Sequence, residues 1–513
     1  MKTGRMLVVV LVVAVHGAAP ASEVRTRAMG GVEAVVVDDS NAINLFNAGN
    51  AAGLALLPKE NRVDEQVLIG IASNTDEYPG GDSQTMSNRD FGLISPGGRY
   101  QGLQYWVTDN DVVRVSAGMN SLSRTVAVKP ETSSDSTYRM TGTTIEAQYA
   151  RKLTPKLAVG ARIRPIIGNL KPPSGAGAAV LGETPQGETY SYTLLDWNAG
   201  LGYRVSPDGE PGLVLGLNIM PYNDTPDPED MLAALGSPAG AGTGTLGAYD
   251  LKYEATVSGK KVTSRATTSG MTVGGQLDYS AGLTDIGLLV DITAASVDRK
   301  DTSELGERSG TQSRYSRLRY GIHGRQALDM GKGAGVRMAL ALGGASGRLG
   351  NLDYPASEKV LTATDQSPFL LGLGFSYVTG SFAVGLGYSL EGEKNSQKAE
   401  ASEARAMDTS SADSVIRLGG EYWFTPSWAG RLGVALGSRS RDDNDDSTVK
   451  PGEEGNPIEN DTALSLGVGY KAANGLLVDA ALFIHAFDSD PEPVEYEETR
   501  SQVDFLLGGK YVF

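Results

Sequence analysis

The final stretch of the chain, residues 501–513, constrains the fold more than any other feature of the sequence. Successive side chains of a β-strand point to opposite faces. One face of this stretch is apolar or aromatic and carries Val503, Phe505, Leu507, Tyr511 and Phe513. The other face carries Asp504, Gly508 and Lys510. A strand with an apolar outer face, a polar inner face and aromatic residues at its end is typical of a transmembrane β-barrel.

The same stretch resembles the carboxyl-terminal signal by which outer-membrane barrels are recognised for insertion. The resemblance is carried by Gly508, by the aromatic Tyr511 three residues later and by the terminal Phe513. It implies that the β-barrel assembly machinery is a partner of this chain. It also predicts that this strand closes the barrel by pairing with the first one.

Upstream, from about residue 62, alternating stretches are separated in turn by short and long connections. The short connections are turn sequences at Thr108–Asp111, Thr154–Lys156, Ser206–Gly212, Ala281–Thr284, Met330–Gly333, Val378–Ser381, Thr425–Ser427 and Lys471–Gly475. The long connections are polar and cover roughly 168–190, 221–267, 298–313, 349–366, 393–411, 441–460 and 488–499. Short turns at one end and long loops at the other are the organisation of an outer-membrane barrel.

We therefore predict an all-β fold, a transmembrane antiparallel outer-membrane β-barrel of about 16–18 strands (range 14–18). The number is even if both ends of the chain are periplasmic. The weakest strand patterns are Val63–Ala72 and Gln101–Val107, and the stretch around Tyr249–Thr256 has the pattern of a further hairpin. A soluble β-sandwich is the competing fold, but a chain of this length would then divide into several domains with linkers. No linker is visible.

The amino terminus has the features of a secretory signal peptide. Lys2 and Arg5 precede the apolar run Met6–Val15, and the small residues Ala19–Ala21 offer a cleavage site. We assign residues 1–21 to the signal peptide, 22–61 to a compact segment that does not alternate, and 62–513 to the barrel. This organisation predicts export to the outer membrane of a Gram-negative cell.

Composition excludes several functions. The net charge of −16 argues against nucleic acid as a partner, and a chain with no cysteine has no disulfide framework. Glycine is abundant, at 66 of 513 residues. The sequence lacks the Gly-x-Ser-x-Gly and His-Glu-x-x-His motifs of hydrolases. We predict no catalytic residues, no metal site and no cofactor.

Strand parity also predicts which charged side chains face the lumen. The main group is Arg317, Arg319, His323, Arg325, Arg337, Asp291 and Asp278, and other strands add Arg162, Arg164, Glu146, Arg417, Glu421, Arg431, Asp479 and His485. Two interpretations remain open. These side chains form a constriction that selects permeating solutes, or they form a structural network that stiffens the lumen or pins the amino-terminal segment.

The amino-terminal segment carries a second resemblance. Ala28–Gly31 includes Met29, Gly30 and Gly31, and is followed by Asp38–Ile43 with Asp38 and Asp39. Asn50–Leu54, which contains Asn50 and Gly53, comes next, with Ala51 in place of the proline expected in the family. These motifs resemble the start of the outer-membrane long-chain fatty acid transporter family (FadL-like). The resemblance implies an internal hatch, with hydrophobic ligands entering from outside and leaving through a lateral gap in the wall.

Two functions from different classes follow. In the first, the barrel takes up hydrophobic, fatty-acid-like small molecules past the hatch. In the second, it is a structural or surface-interaction barrel whose acidic loops bind cations, lipopolysaccharide or other partners. A general porin is a third alternative. Outer-membrane lipid and lipopolysaccharide are expected partners in each case, and the sequence does not determine the oligomeric state.

Overall fold

A computed structural model describes residues 29, 50–56, 59, 61–77, 83–93, 102–129, 136–171, 186–205, 212–221, 250–257, 260–281, 283–303, 306–331, 333–352, 360–399, 407–445, 458–490 and 497–512. The predicted signal peptide lies outside these residues, as do Gly30, Gly31, Asp38, Asp39 and Phe513.

The described chain consists of one short helix and twenty strands. The helix is α1 (Gly53–Leu56), and the strands are β1 (Arg62–Glu77), β2 (Ser83–Leu93), β3 (Gly102–Trp106), β4 (Asp111–Lys129), β5 (Ser136–Lys152), β6 (Leu157–Lys171), β7 (Gln186–Arg204), β8 (Gly212–Pro221), β9 (Asp250–Val257), β10 (Lys260–Ala281), β11 (Thr284–Ser303), β12 (Gly306–Gly331), β13 (Ala334–Leu352), β14 (Val360–Val378), β15 (Phe382–Ala399), β16 (Met407–Trp423), β17 (Trp428–Asp445), β18 (Ile458–Lys471), β19 (Leu476–Asp490) and β20 (Glu497–Val512).

These strands form one closed antiparallel wall. β2 and β3 together occupy the position between β1 and β4, and β8 and β9 together occupy the position between β7 and β10. The wall therefore has 18 positions, which confirms the predicted barrel. β1 pairs with β20 from Arg62↔Val512 to Glu77↔Glu497, so the first and last strands are partners, as predicted.

The alternate residues of each strand face outward and inward as the sequence predicted. On β20, Val503, Phe505 and Leu507 are exposed on the outer surface, whereas Asp504 and Leu506 are buried inside. The same outer band includes Leu318, Tyr320, Ile322, Leu386, Leu418, Leu432 and Leu466. Exposed apolar side chains around a closed ring would be unfavourable in water and are stabilised in lipid. The fold is that of an outer-membrane β-barrel.

All eight predicted short turns connect neighbouring strands, but the extracellular ends of the strands run further than predicted. Residues 298–313 were expected to form a loop, yet β11 continues to Ser303 and β12 begins at Gly306. The other predicted long connections are shortened in the same way. The predicted hairpin near Tyr249–Thr256 is present as β9 and the start of β10. Strand ends above the membrane have a polar outer face, so their sequence lacks the outward apolar alternation that marks a membrane strand.

Among the described residues, pairing on one side of β1 is interrupted near its periplasmic end. The ladder between β1 and β2 stops at Val67↔Leu93, and the ladder between β1 and β3 starts at Asp64↔Gly102. Residues 94–101, which join β2 to β3 in the sequence, lie outside the described residues. Gly102 has a φ of 90°, and a Cβ there would lie 2.2 Å from the carbonyl oxygen of Val115. Only glycine adopts this backbone without strain.

Among the described residues, no helix is long and apolar enough to cross a membrane.

Candidate functional site

The amino-terminal segment contacts the inner face of the wall at Asn50. The Asn50 side-chain amide donates hydrogen bonds to the backbone oxygens of Leu201 on β7, at 3.1 Å, and Leu217 on β8, at 2.9 Å. Its side-chain oxygen accepts a hydrogen bond of 3.0 Å from the amide of Ala52. This bond closes an Asx turn, which is followed directly by α1. Asn50 therefore both orders the turn before the helix and attaches it to the wall.

Ala51 is held by side chains that project from the wall. Its amide donates to the side-chain oxygen of Asn198, at 2.8 Å, and its carbonyl accepts from the side-chain amide of Gln148, at 3.0 Å. The wall has glycine where the segment approaches most closely. A Cβ at Gly160 would lie 2.4 Å from the Ala51 carbonyl carbon, and one at Gly200 would lie 1.8 Å from the Asn50 side-chain oxygen. The segment therefore approaches the wall so closely that side chains at Gly160 and Gly200 would clash with it.

Helix α1 packs into a small apolar core against the wall. Its side of the cluster consists of Ala52, Leu54, Ala55 and Leu56, and the wall contributes Trp106, Val112, Ala150 and Ala158. Leu54 is 3% exposed, and burial of a leucine side chain contributes about 1.5–3 kcal/mol. The small side chains on β5 and β6 leave the space that the helix fills.

A second contact between the segment and the wall lies at Met29, on a distant part of the ring. Met29 is fully buried. A Cβ at Gly419, on the inner face of β16, would lie 1.9 Å from the Met29 carbonyl oxygen. The described parts of the amino-terminal segment thus contact the inner surface at β4–β8 and at β16.

Toward the periplasmic rim the segment leads directly into β1. Arg204 donates to the backbone oxygen of Leu56 at 2.9 Å, and the side chain of Asn61 accepts from the amide of Trp106 at 2.8 Å. Lys59 donates a hydrogen bond to Asp109 in the turn after β3. That bond, together with the lysine charge, lowers the pKa of the Asp109 carboxyl. The segment is thus attached to the inner face of the wall at Asn50–Leu56 and to the periplasmic rim at Lys59 and Asn61.

Two of the predicted lumen arginines, Arg319 and Arg325, pair with carboxylates on β11. Arg319 donates to Asp291, with an Nε to Oδ2 distance of 2.9 Å. The side chains of Asp278 and His323 both lie over Gly287, where an added Cβ would meet them. Arg325 pairs with Asp285, a residue that sequence reasoning did not select.

The other two residues of that predicted group are also on the inner face. Arg317 lies over the ring of Tyr315, 5.9 Å from its centroid. Arg337 lies on β13, where its register partners are Ala327 and Ser376. The structure thus pairs Asp291 with Arg319 and places Asp278 and His323 near each other over Gly287. The register of the strands was needed to find these contacts.

Three further ion networks join neighbouring strands. Arg114 and Glu146 are 2.7 Å apart. Asp196, which is fully buried, accepts from Arg162 at 2.9 Å and from Arg164 at 2.7 Å. Arg431 lies between Glu421 and Asp479, at 2.7 Å from each, and its side chain is 2% exposed. Contacts between adjacent strands favour the interpretation of these charges as a network that stiffens the wall.

An apolar arc lies on the extracellular side of the charged layer, and strand parity in the sequence identified only Leu194 of it as an inward apolar residue. Its members are buried and share the inner face of β7 and β10–β13, namely Tyr192, Leu194, Ala266, Val297, Tyr315 and Leu349. Leu349 is the register partner of Tyr315. Ala266 and Leu349 lie in stretches that were predicted to be loops, so their parity was not followed. Tyr192, Val297 and Tyr315 lie just outside the predicted loops, at strand ends where the outer face no longer alternates with the inner one.

The lumen is therefore layered. The apolar arc lies on the extracellular side, charged pairs occupy the middle, and the amino-terminal segment lies toward the periplasm. Asp196 marks the junction of the layers, since Leu194 is above it and Asn198, which binds Ala51, is below it on the same face of β7. Among the described residues, no group of three or more His, Asp or Glu side chains could hold a metal ion.

Comparison with known proteins completes the description. No family model matches the sequence, and no curated protein matches it. A search of solved structures finds the toluene transporter TodX of P. putida, with 12% identity, 96% of this chain and 98% of that chain covered, and a TM-score of 0.34. It also finds OccK7 (OpdD) of Pseudomonas aeruginosa, with 9% identity, coverage of 88% and 100%, and a TM-score of 0.39. A FadL homologue of Pseudomonas aeruginosa is similar too, with 10% identity, coverage of 96% and 99%, and a TM-score of 0.31. A FadL homologue is thus among the solved structures to which this chain is similar.

Proposed function

We propose that this barrel takes up hydrophobic small molecules across the outer membrane, past a hatch formed by the amino-terminal segment. The observation that carries the proposal is the attachment of Asn50–Leu56 to the inner face of the wall. A barrel of 16–18 strands encloses an aqueous channel unless something fills it. A segment that lies inside and is held by hydrogen bonds restricts that channel to ligands that can pass around or displace it.

The apolar arc is an argument for a hydrophobic ligand. Tyr192, Leu194 and Tyr315 are aromatic or aliphatic, and each is more than nine-tenths buried at the extracellular side of the lumen. An apolar solute is stabilised by leaving water for such surroundings, whereas a polar solute is not. An apolar molecule that arrives from outside would therefore bind among these side chains and replace contacts that now bury them.

The interruption between β2 and β3 supplies a lateral route out of the lumen. It lies at Glu65 and Gln66 on β1 and at Ser116–Gly118 on β4, between the paired stretches of the two ladders. This level is close to the periplasmic end of the wall, which faces the inner half of the bilayer. A hydrophobic ligand that leaves here enters lipid instead of water, and its apolar surface stays out of solvent.

The proposal predicts selective permeation. Vesicles containing the full chain are expected to accumulate an uncharged aromatic probe faster than vesicles without protein, and to exclude a neutral sugar of similar size. The physical reason is that the arc binds apolar surface while the hatch blocks free diffusion of polar solutes. Fluorescence of the probe and release of labelled sugar measure the two rates. Entry of the sugar at the faster rate would indicate a general porin, and no entry of either compound would indicate a structural barrel.

Gly102→Val is expected to slow release of the apolar probe while the barrel stays impermeable to sugar. Valine does not tolerate a φ of 90°, and its Cβ would meet the backbone of Val115. Such strain costs about 1–3 kcal/mol, so the junction of β2 and β3 has to rearrange. Gly275→Val is the matched control, since the nearest atom to its Cβ would be 3.9 Å away. Equal transport rates for both variants and the wild type would contradict a route through this interruption.

A further inference from the structure

A stacked pair of aromatic side chains lies on the inner face of β19, in a sector of the wall that the apolar arc does not reach. The ring centroids of Phe483 and His485 are 6.0 Å apart, and the ring planes make an angle of 30°. Both side chains are partly exposed, whereas Tyr192 and Tyr315 of the apolar arc are more than nine-tenths buried. The pair therefore presents aromatic surface to the lumen without any rearrangement of the wall.

The pair lies in the extracellular half of the lumen. Ile484, which stands between the two aromatic residues in the sequence, faces outward and is the register partner of Leu464 on β18. Both belong to the exposed apolar outer band, but the next outward residue of β18 toward the extracellular end is Thr462. The outer face thus becomes polar directly above the pair. A solute that enters from outside reaches this level early in its passage.

The strands beside the pair carry small residues on the inner face. Ala463 on β18 is the register partner of His485, and its own partner on β17 is Ala435. One inward position further along, Asp461 is opposite Gly437. Ala435 and Gly437 are both partly exposed. These strands therefore leave space next to the aromatic pair that a flat molecule of one ring can occupy.

Asp461 orients the imidazole ring of the pair. Its Oδ1 contacts Nε2 of His485, and a nitrogen lone pair would be repelled by a carboxylate oxygen at such a contact. Nε2 therefore carries a proton, and in a neutral imidazole Nδ1 is then a hydrogen-bond acceptor. The His485 side chain is 25% exposed, and its Nδ1 has no hydrogen-bond partner among the residues that the structure describes. The buried Arg431 triad of the same wall has no such opening to the lumen.

We propose that Phe483, His485 and Asp461 form a binding site for phenols, small aromatic molecules that carry a hydroxyl group. The ring of the ligand packs against Phe483 and over the small residues of β17 and β18, and its hydroxyl donates a hydrogen bond to Nδ1 of His485. Asp461 is a positioning residue, because it fixes which nitrogen accepts. The site rests on the proposed uptake function, and it names a class of molecule that the barrel takes up.

The acceptor nitrogen is the reason why a phenol is favoured over a hydrocarbon of the same size. A ring without a donor would cover Nδ1 and remove it from water without replacing the lost hydrogen bond, which is unfavourable. A site that bonds a hydroxyl of its ligand discriminates against the analogue that lacks it. Hydrophobicity alone gives the opposite order, because toluene and anisole leave water more readily than phenol. The two explanations therefore predict opposite preferences.

The first experiment compares three ligands with the full chain in nanodiscs, namely phenol, its methyl ether anisole, which accepts but does not donate, and toluene. Equilibrium dialysis measures the bound ligand, and the amount dissolved in empty nanodiscs is subtracted. Phenol is expected to bind about three- to tenfold more tightly than anisole or toluene, since one hydrogen bond separates them. Equal binding of the three, or tighter binding of anisole and toluene, would overturn the proposal.

Variants then locate the preference at this site. His485→Phe keeps a ring but removes the acceptor, and is expected to bind phenol about three- to tenfold more weakly and toluene at least as well as the wild type. Phe483→Ala is expected to weaken both ligands. Asp461→Leu lets the imidazole change its tautomer, and is expected to bring the ratio of phenol to anisole binding toward one. Ile484→Ala is the matched control on the lipid-facing side of the same strand, and is expected to bind all three ligands like the wild type.

Gel mobility before and after heating verifies that each variant is folded, and the comparison of ligands in the wild type needs no variant. A preference for phenol that persists in His485→Phe would overturn the assignment to this site. Vesicles that accumulate toluene, together with nanodiscs that show no preference for phenol, would retain the uptake function and reject the phenol site. Nanodiscs that bind phenol as expected, together with vesicles that accumulate neither compound, would retain the site and reject uptake.

Discussion

Deletion of residues 22–56 is expected to raise the ionic conductance of the barrel on the order of tenfold or more, because an unplugged barrel of this size leaves an aqueous channel. The deletion removes Met29 and Asn50–Leu56, which contact the inner face, and keeps Lys59 and Asn61, which anchor the start of β1 at the rim. Single-channel recording in planar bilayers measures the change. The same deletion is expected to admit sugars that the intact protein excludes.

A milder variant keeps the amino-terminal segment in the chain but weakens its attachment to the wall. Asn50→Ala removes the two bonds to the backbone oxygens of Leu201 and Leu217, together with the Asx turn that precedes α1. Each lost hydrogen bond costs about 0.5–1.5 kcal/mol, so brief openings are expected in a channel that is otherwise closed. An unchanged conductance after the deletion would show that the segment does not block the lumen, and the proposed uptake past a hatch would fail with it.

Arg431→Met is expected to lower the free energy of unfolding by about 3–5 kcal/mol, the usual cost of leaving buried charges without their partner. Glu421 and Asp479 both lie 2.7 Å from Arg431, and the Glu421 side chain is 2% exposed. Without the guanidinium, two carboxylates on the inner face would repel each other in a region of low polarity. Urea unfolding of the protein in lipid vesicles, followed by tryptophan fluorescence, measures the loss.

Two further variants test the reason for that loss. Arg265→Met breaks an exposed pair with Asp250, and such pairs contribute about 0–1 kcal/mol. The combined variant Arg431→Met, Glu421→Gln, Asp479→Asn is expected to recover most of the stability, because no unpaired charge remains. If Arg431→Met were no more destabilising than Arg265→Met, the triad would not be a structural element of the wall.

The sequence predicted the wall well because the two faces of a membrane strand differ so strongly. Alternation of Val503, Phe505 and Leu507 with Asp504 required no tertiary information, and the turn residues marked all eight periplasmic connections. The prediction stopped where the outer environment changes from lipid to water. Beyond Leu318 on β12, the outer face is polar, so the sequence no longer shows the outer apolar alternation that distinguishes a membrane strand from a loop.

The contents of the lumen were less predictable. Parity identified Arg319 and Asp291 as inward residues, but their contact depends on the register of β11 against β12. The two wall residues that accept hydrogen bonds from Asn50 are 151 and 167 residues away in sequence. Gly160, Gly200 and Gly419 are glycines because another part of the chain approaches them closely. Such contacts are properties of the closed ring. No local pattern encodes them.

The pairing of β1 with β20 also determines the order in which the molecule can be assembled. The ring is complete only when the residues next to the amino-terminal segment meet the last residues of the chain. Until then the sheet has two open edges, and the interior is accessible from the side. Because only a few residues separate Leu56 from Arg62, the segment is tethered beside the seam at which the two edges join. Closure of the wall therefore places the segment next to the interior that it occupies.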